Sequence, residues 1–213
     1  MFYLHRHQVN TKKIDTEQFL KRYQSGERDF SRLNMAHASL NDVNLIDIKL
    51  WQANLIDINL GCTLLCRADL SETNLKGATL WRTNMRKASL VQAQCSHALL
   101  IRANLSQANL YKSRLDSAEM RLACLVGADL QGADLSGANL SYADLSSANL
   151  MGANLTRTIF TGANLTGANL SHTNLDEAIL SRANLSQAIF PDPEMTHFTP
   201  QAFARAVRNY SNG

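Results

Sequence analysis

The 213-residue sequence predicts an all-β solenoid: a parallel coil of very short strands, closed by a short α-helix at each end. Three observations carry this reading. Stepping by five from Phe30 to Phe190 lands on an apolar residue at all 33 positions, 26 of them Leu. Two residues before each of these centres stands Ala in 22 of the 33 units, with Thr or Ser in six more. One residue before the centre stands Asn or Asp in 20 units. A period of five suits neither common element. On an α-helix, five steps of about 100° leave each Leu about 140° out of phase with the last, so no apolar stripe forms. On a flat strand an odd period flips the Leu to the opposite face at every repeat. The chain must therefore turn once per unit, with the centre and the small residue two before it facing inward.

The first element spans residues 1–25. The opening MFYLHRHQVNTKK lacks the apolar stretch of a secretory leader. No run approaches the length of a membrane-spanning helix, so the expected location is the cytoplasm. His5 and His7 could share one side of a strand, and a solvated strand is favoured over a metal site. IDTEQFLKRYQSG then reads as a helix. Asp15 is its N-cap, with Gln18 reaching back as in a capping box. Phe19, Leu20 and Tyr23 form its apolar face, and Gly26 stops it.

The second element, residues 26–190, is the coil. Seven of the ten glycines lie two residues after a centre, where a corner requiring positive φ favours them. Asn and Asp beside the corner can satisfy local backbone groups. Corners near a right angle close a coil in four units, or 20 residues. Ile159 and Ile179 both replace the usual Asn or Asp and lie 20 apart, as do Arg82 and Arg102; a three-sided coil would set Ile159 beside Asn174 instead. About eight such coils stacked at about 4.8 Å make a rod roughly 40 Å long.

The third element, residues 191–213, begins where PDPEM breaks the register. Thr199 as N-cap and Pro200 at the first helical position open a second helix carrying Phe203, Val207 and Tyr210 on one face. Both helices are expected to cover the open apolar ends of the coil.

The tandem A(D/N)Lxx pattern, clearest in ADLQGADLSGANLSYADLSSANL at 128–150, resembles the pentapeptide-repeat family over about 165 residues. The resemblance implies a right-handed quadrilateral parallel β-helix. It also implies a non-enzymatic role, since the family includes cyanobacterial members acting in regulation of cell differentiation. Other members imitate duplex DNA and protect DNA gyrase, which makes a DNA mimic the alternative expectation. A short N-terminal helix before the first coil is similar to that of some cyanobacterial members.

Nothing in the sequence assembles a catalytic constellation, and no cofactor or metal is expected. The glycines of the repeat read as parts of the five-residue pattern, and none belongs to a phosphate-binding loop. Cys62, Cys66, Cys95 and Cys124 have neither zinc nor redox spacing and read as reduced thiols.

Function is therefore expected on the outer surface, where the repeat is imperfect. Bulky residues occupy the usual Ala slot only early, at Arg28, Leu33, Val43, Ile48 and Ile58, as a widening of the first two coils to meet the N-terminal cap would require. Large apolar groups stand one after the centre at Ile46, Trp51, Ile56, Trp81, Val91, Ile101 and Tyr111. They either lie beneath segment 1–14 or form a protein-binding surface. Charge is also segregated along the axis. Segment 61–121 carries 9 Lys+Arg against 4 Asp+Glu, whereas 122–190 carries 2 against 5. These patterns select Trp51, Arg67, Trp81, Arg82, Lys87 and Arg102 as the candidate partner surface. The expected partner is a protein. Direct nucleic-acid binding is disfavoured because the cations are dispersed and lack an aromatic platform, and the duplex-mimic alternative sits poorly with 14 acidic and 14 basic groups in 26–190. The chain is expected to be a monomer or an end-to-end dimer.

Overall fold

The structure, a computed structural model, describes residues 14–191. The expected C-terminal helix at Thr199, the His5/His7 pair and the course of segment 1–13 lie outside the described residues.

Helix α1 spans Thr16–Gln24. Asp15 caps it, its Oδ1 accepting from the Gln18 N–H at 2.8 Å. At the other end Gly26 takes φ +99°. This lets its N–H reach the Tyr23 carbonyl at 3.1 Å and the Glu27 N–H reach the Arg22 carbonyl at 3.2 Å. These two bonds close the helix as a Schellman motif. The apolar face of α1 lies on the start of the coil. Phe19 is fully buried, its ring centroid 4.6 Å from that of Phe30, and the Tyr23 hydroxyl donates to the Ile46 carbonyl at 2.8 Å.

From there the chain pairs with itself in parallel at a constant offset of 20 residues, from Asp29↔Lys49 to Asn169↔Ile189, without a break in register. The pairing of Ile159 with Ile179 is the one the sequence pattern predicts. Four units make one turn, giving four sides. The first carries the centres Leu50, Leu70 and Leu90, the second Leu55, Leu75 and Cys95, the third Leu60, Leu80 and Leu100, and the fourth Leu65, Met85 and Leu105.

One unit shows why this sequence winds this way. The Leu140 N–H bonds the Ile159 carbonyl of the next coil at 2.8 Å, and the Tyr142 N–H bonds that of Thr161 at 2.9 Å. The Asn139 N–H reaches back to Ala118 at 2.9 Å, while the Ala143 N–H closes the turn on Leu140 at 3.0 Å. The fifth N–H, of Ser141, is taken by the Asn139 side chain at 3.1 Å. Every backbone donor is thus paired, and the Asn or Asp slot exists because the fifth would otherwise lack a partner within the protein.

At every corner from Arg32 to Gln187 the second corner residue has positive φ, between 51° and 68°. The sequence shows this requirement only where Gly meets it; most corners hold Arg, Gln, Ser, His or Asp instead. The interior is a ladder of Leu filled out by Ala. Where Thr replaces Ala its buried hydroxyl donates to a backbone carbonyl, as Thr83 does to Leu60 at 2.8 Å. Of the early bulky residues, Leu33, Ile48 and Ile58 are buried as expected. Arg28 departs from the pattern. It turns outward, its guanidinium 4.0 Å from the Tyr23 ring and bonded to the Tyr23 carbonyl, because a charge has no partner inside an apolar coil. All four cysteines are free thiols, and burial pushes Cys95, at a centre position, up to about 12.

Candidate interaction surface

The coil distributes the six candidate residues over three corners. Trp81, Arg82 and Arg102 share the corner between the third and fourth sides. Arg67 and Lys87 lie at the next corner, between the fourth side and the first. Trp51 stands at the corner between the first and second sides, diagonally across the coil from Trp81.

The Trp51 corner is internally satisfied. The Arg32 guanidinium lies 4.7 Å from the indole ring, the indole N–H donates to Glu72 at 3.3 Å, and the Gln52 amide donates to the same carboxylate at 2.8 Å. Arg67 is also engaged. It forms a two-bond pair with Asp47 in the preceding coil, at 2.7 and 2.6 Å. That hydrogen bonding holds the Asp47 carboxyl below its ordinary range and raises Arg67 above its own. Lys87, at the same corner, has no ion-pair partner among the described residues.

The corner between the third and fourth sides differs from these. Trp81 is 44% exposed, yet its ring is seated. It lies over Gly61 in the preceding coil, where a Cβ would come within 2.3 Å of the indole Nε1. Gly61 is the one coil glycine without positive φ, and this close approach accounts for it. The Arg82 guanidinium sits 5.8 Å from the Trp81 ring. Arg102 stacks one coil further on, and neither arginine has a carboxylate at ion-pair distance among the described residues. The same line continues through exposed Leu122 to Tyr142, which is 59% exposed and rests over Gly162, where a Cβ would meet the ring at 2.7 Å.

Two flanking residues complete the picture. Leu64 on the fourth side and Leu99 on the third are exposed in a slot that most often holds Asn or Asp. A leucine there cannot accept the corner N–H, so the apolar surface replaces a local hydrogen bond. Apart from Ile189, every exposed large hydrophobic residue among those described lies on the third side, the fourth side or the corner between them. The sequence reading passed over Leu64, Leu99, Leu122 and Tyr142 because it looked for outward apolar groups only in the slot after the centre. Their signal was a Leu in the Asn/Asp slot and a bulky residue in the slot where Gly recurs.

The middle-rod charge is equally one-sided. In 79–87, 99–107 and 119–127, which build the third and fourth sides, Arg82, Arg86, Lys87, Arg102 and Arg121 face Glu119 alone. Glu119 is taken up by Arg121 at 3.2 Å. In the intervening 88–98, 108–118 and 128–138, Lys112 and Arg114 are outnumbered by Asp116, Asp129 and Asp134. Chemically, one flank of the rod can bind carboxylates and apolar groups together.

Comparison with known proteins agrees with this architecture. The sequence matches the pentapeptide-repeats family pattern in eight copies, over residues 53–92, 88–127, 125–157 and 158–192. Among solved structures it is similar to QnrB1, a plasmid-mediated fluoroquinolone resistance protein, with 21% identity over 83% of this chain and 84% of that one and a TM-score of 0.55. It is also similar to HetL, a pentapeptide-repeat protein involved in heterocyst differentiation regulation from the cyanobacterium Nostoc, with 29% identity over 84% of this chain and 94% of that one and a TM-score of 0.43. A pentapeptide-repeat protein of the Arabidopsis thaliana thylakoid lumen is 34% identical over 50% of this chain and 68% of its own, with a TM-score of 0.23. No curated protein sequence matches the chain significantly. Among the described residues no helix is long and apolar enough to cross a membrane.

Proposed function

The chain belongs to the pentapeptide-repeat family, and from that premise we propose that it is a non-enzymatic rod that presents fixed side chains to a protein partner. One observation supports this above the others. The inward side chains and the backbone donors of a coil unit are accounted for by winding, and the exposed large hydrophobic residues of the middle coils, together with Arg82 and Arg102, gather on one flank. The contact surface draws on Trp81, Arg82, Lys87 and Arg102, with Arg67 at its margin. Trp51 takes part only with a partner that wraps around the rod. In the same reading the coil is right-handed, as parallel crossovers are. It has about eight turns, is covered by α1 and by the helix expected after Thr199, and works in the cytoplasm. Residues 1–25, 26–190 and 191–213 are its three parts.

The balance of 14 acidic and 14 basic groups in 26–190 weighs against a duplex-DNA mimic, which needs a strongly acidic flank. Cross-linking capture with the full chain as bait, in the organism that makes it, tests the proposal. Saturable capture of a protein partner is the expected result. A chain that captures no protein, or that turns over a small molecule, overturns the reading.

A further inference from the structure

We infer that the corner between the third and fourth sides, from Trp81 to Tyr142, is a docking ridge for an acidic protein segment carrying apolar side chains, laid along the rod axis. This rests on the scaffold reading above and names its partner class. Three independent features of the ridge converge.

The first is charge. Arg82 and Arg102 stack directly, one coil apart, with Arg86 and Lys87 on the same flank. Like charges at strand spacing oppose one another, and among the described residues no carboxylate sits between the two arginines to relieve them. Asp47 does relieve Arg67 one corner away, and Glu177 relieves Arg157 at 2.7 Å in a late coil. The Arg82–Arg102 pair is left open to carboxylates from outside.

The second feature is apolar surface with no folding role. Leu64 and Leu99 give up the acceptor that their slot normally supplies, and Leu122 and Tyr142 occupy positive-φ corner positions with large side chains turned to solvent. None of the four is buried in the coil core. The third feature is preorganisation. Trp81 over Gly61 and Tyr142 over Gly162 hold their rings in place before any partner arrives, so little rotamer freedom is lost on binding.

Trp81 and Tyr142 lie three coil steps apart, about 14 Å at a strand spacing of about 4.8 Å. An extended segment of about four to five residues, or a helix of about ten, covers that distance. Its carboxylates meet Arg82 and Arg102, and its apolar side chains pack on Trp81, Leu122 and Tyr142.

The test selects random twelve-residue peptides displayed on phage against the purified full chain, and measures the winners by fluorescence anisotropy. The expected consensus holds two or more Asp or Glu beside an aromatic or aliphatic residue. Binding falls about tenfold or more in Arg82→Glu/Arg102→Glu, the scale at which unpairing charge contacts acts, and comparably in Trp81→Ala. It stays unchanged in Lys112→Glu, at the far corner. Should Trp81→Ala fold poorly, Arg82→Gln/Arg102→Gln gives the same answer from surface changes alone. Neutral or basic consensus peptides, no enrichment at all, or indifference to the double charge reversal overturns the inference. So does a 20-base-pair DNA duplex, or a second copy of the chain, binding at the same residues in place of an acidic peptide. A ridge that fails while the full chain still captures a protein partner leaves the scaffold reading standing. Failure of the capture itself removes both.

Discussion

At the corner residue the backbone conformation is set by the coil and the side chain is chosen around it. Gly152 and Gly162 have nearly the same φ, +68° and +66°, but different surroundings. Nothing lies within 4 Å of a Cβ at Gly152, whereas at Gly162 it meets the Tyr142 ring at 2.7 Å. Gly152→Ala therefore isolates the conformational cost of a left-handed L-residue, about 1 kcal/mol. Gly162→Ala adds a steric term and displaces Tyr142. Urea denaturation should show a lower midpoint for both with unchanged slope, and a clearly larger drop for Gly162→Ala. Equal drops would mean that Tyr142 is not seated on that glycine. The Gly slot was legible in the sequence, because seven glycines fall in it. That every other corner shares its φ was not legible, since Arg, Gln and Ser carry no mark of a strain imposed by closing the coil.

At the scale of the element, the stacked corner is the unit in which charges meet. Asp47 and Arg67 are 20 residues apart in sequence and one step apart in space. The Asp47 carboxyl is held below its ordinary range by the hydrogen bonds from Arg67. A carboxylate depressed in the folded state contributes stability above its unfolded pKa and loses it as pH falls through the depressed value. The pair thus supports the fold at neutral pH and ceases to do so in acid. Carboxyl titration by NMR should place Asp47 below the usual Asp range in the wild type and return it there in Arg67→Ala, with the difference shrinking as salt is raised. Glu177, held down by Arg157, should follow the same course. This pairing could be anticipated from the 20-residue period. The same period stacks Arg32, Gln52 and Glu72 at the Trp51 corner, but only the structure shows that Arg32 turns onto the indole face and that Glu72 accepts from the indole N–H.

Over the whole molecule, the interior is a ladder whose rungs cannot settle independently. Leu100 is 1% exposed between Leu80 and Met120, and its neighbour Leu99 is bridged to Thr79 on one side and Glu119 on the other. The bridges hold the coils apart, so the space left by Leu100→Ala stays open. Equilibrium unfolding should register a loss of about 2–5 kcal/mol. A loss well under this would mean that adjacent coils close into the gap.

The five-residue period and the recurrences 20 residues apart in the sequence determined the coil, its four-unit turn and its inward Leu and Ala. Those depend on local periodicity and on backbone donors that each unit must satisfy in the same way. Only the tertiary structure decided which outward residues share a surface. A side chain's neighbours across the stack come from 20 residues away and its neighbours around a corner from five, so a linear scan that weighed one slot at a time joined Trp51 to Trp81 and passed over Leu64, Leu99, Leu122 and Tyr142. Winding separates the first two to opposite corners and gathers the other four around Trp81, Arg82 and Arg102 on the flank where the basic charge of the rod also lies.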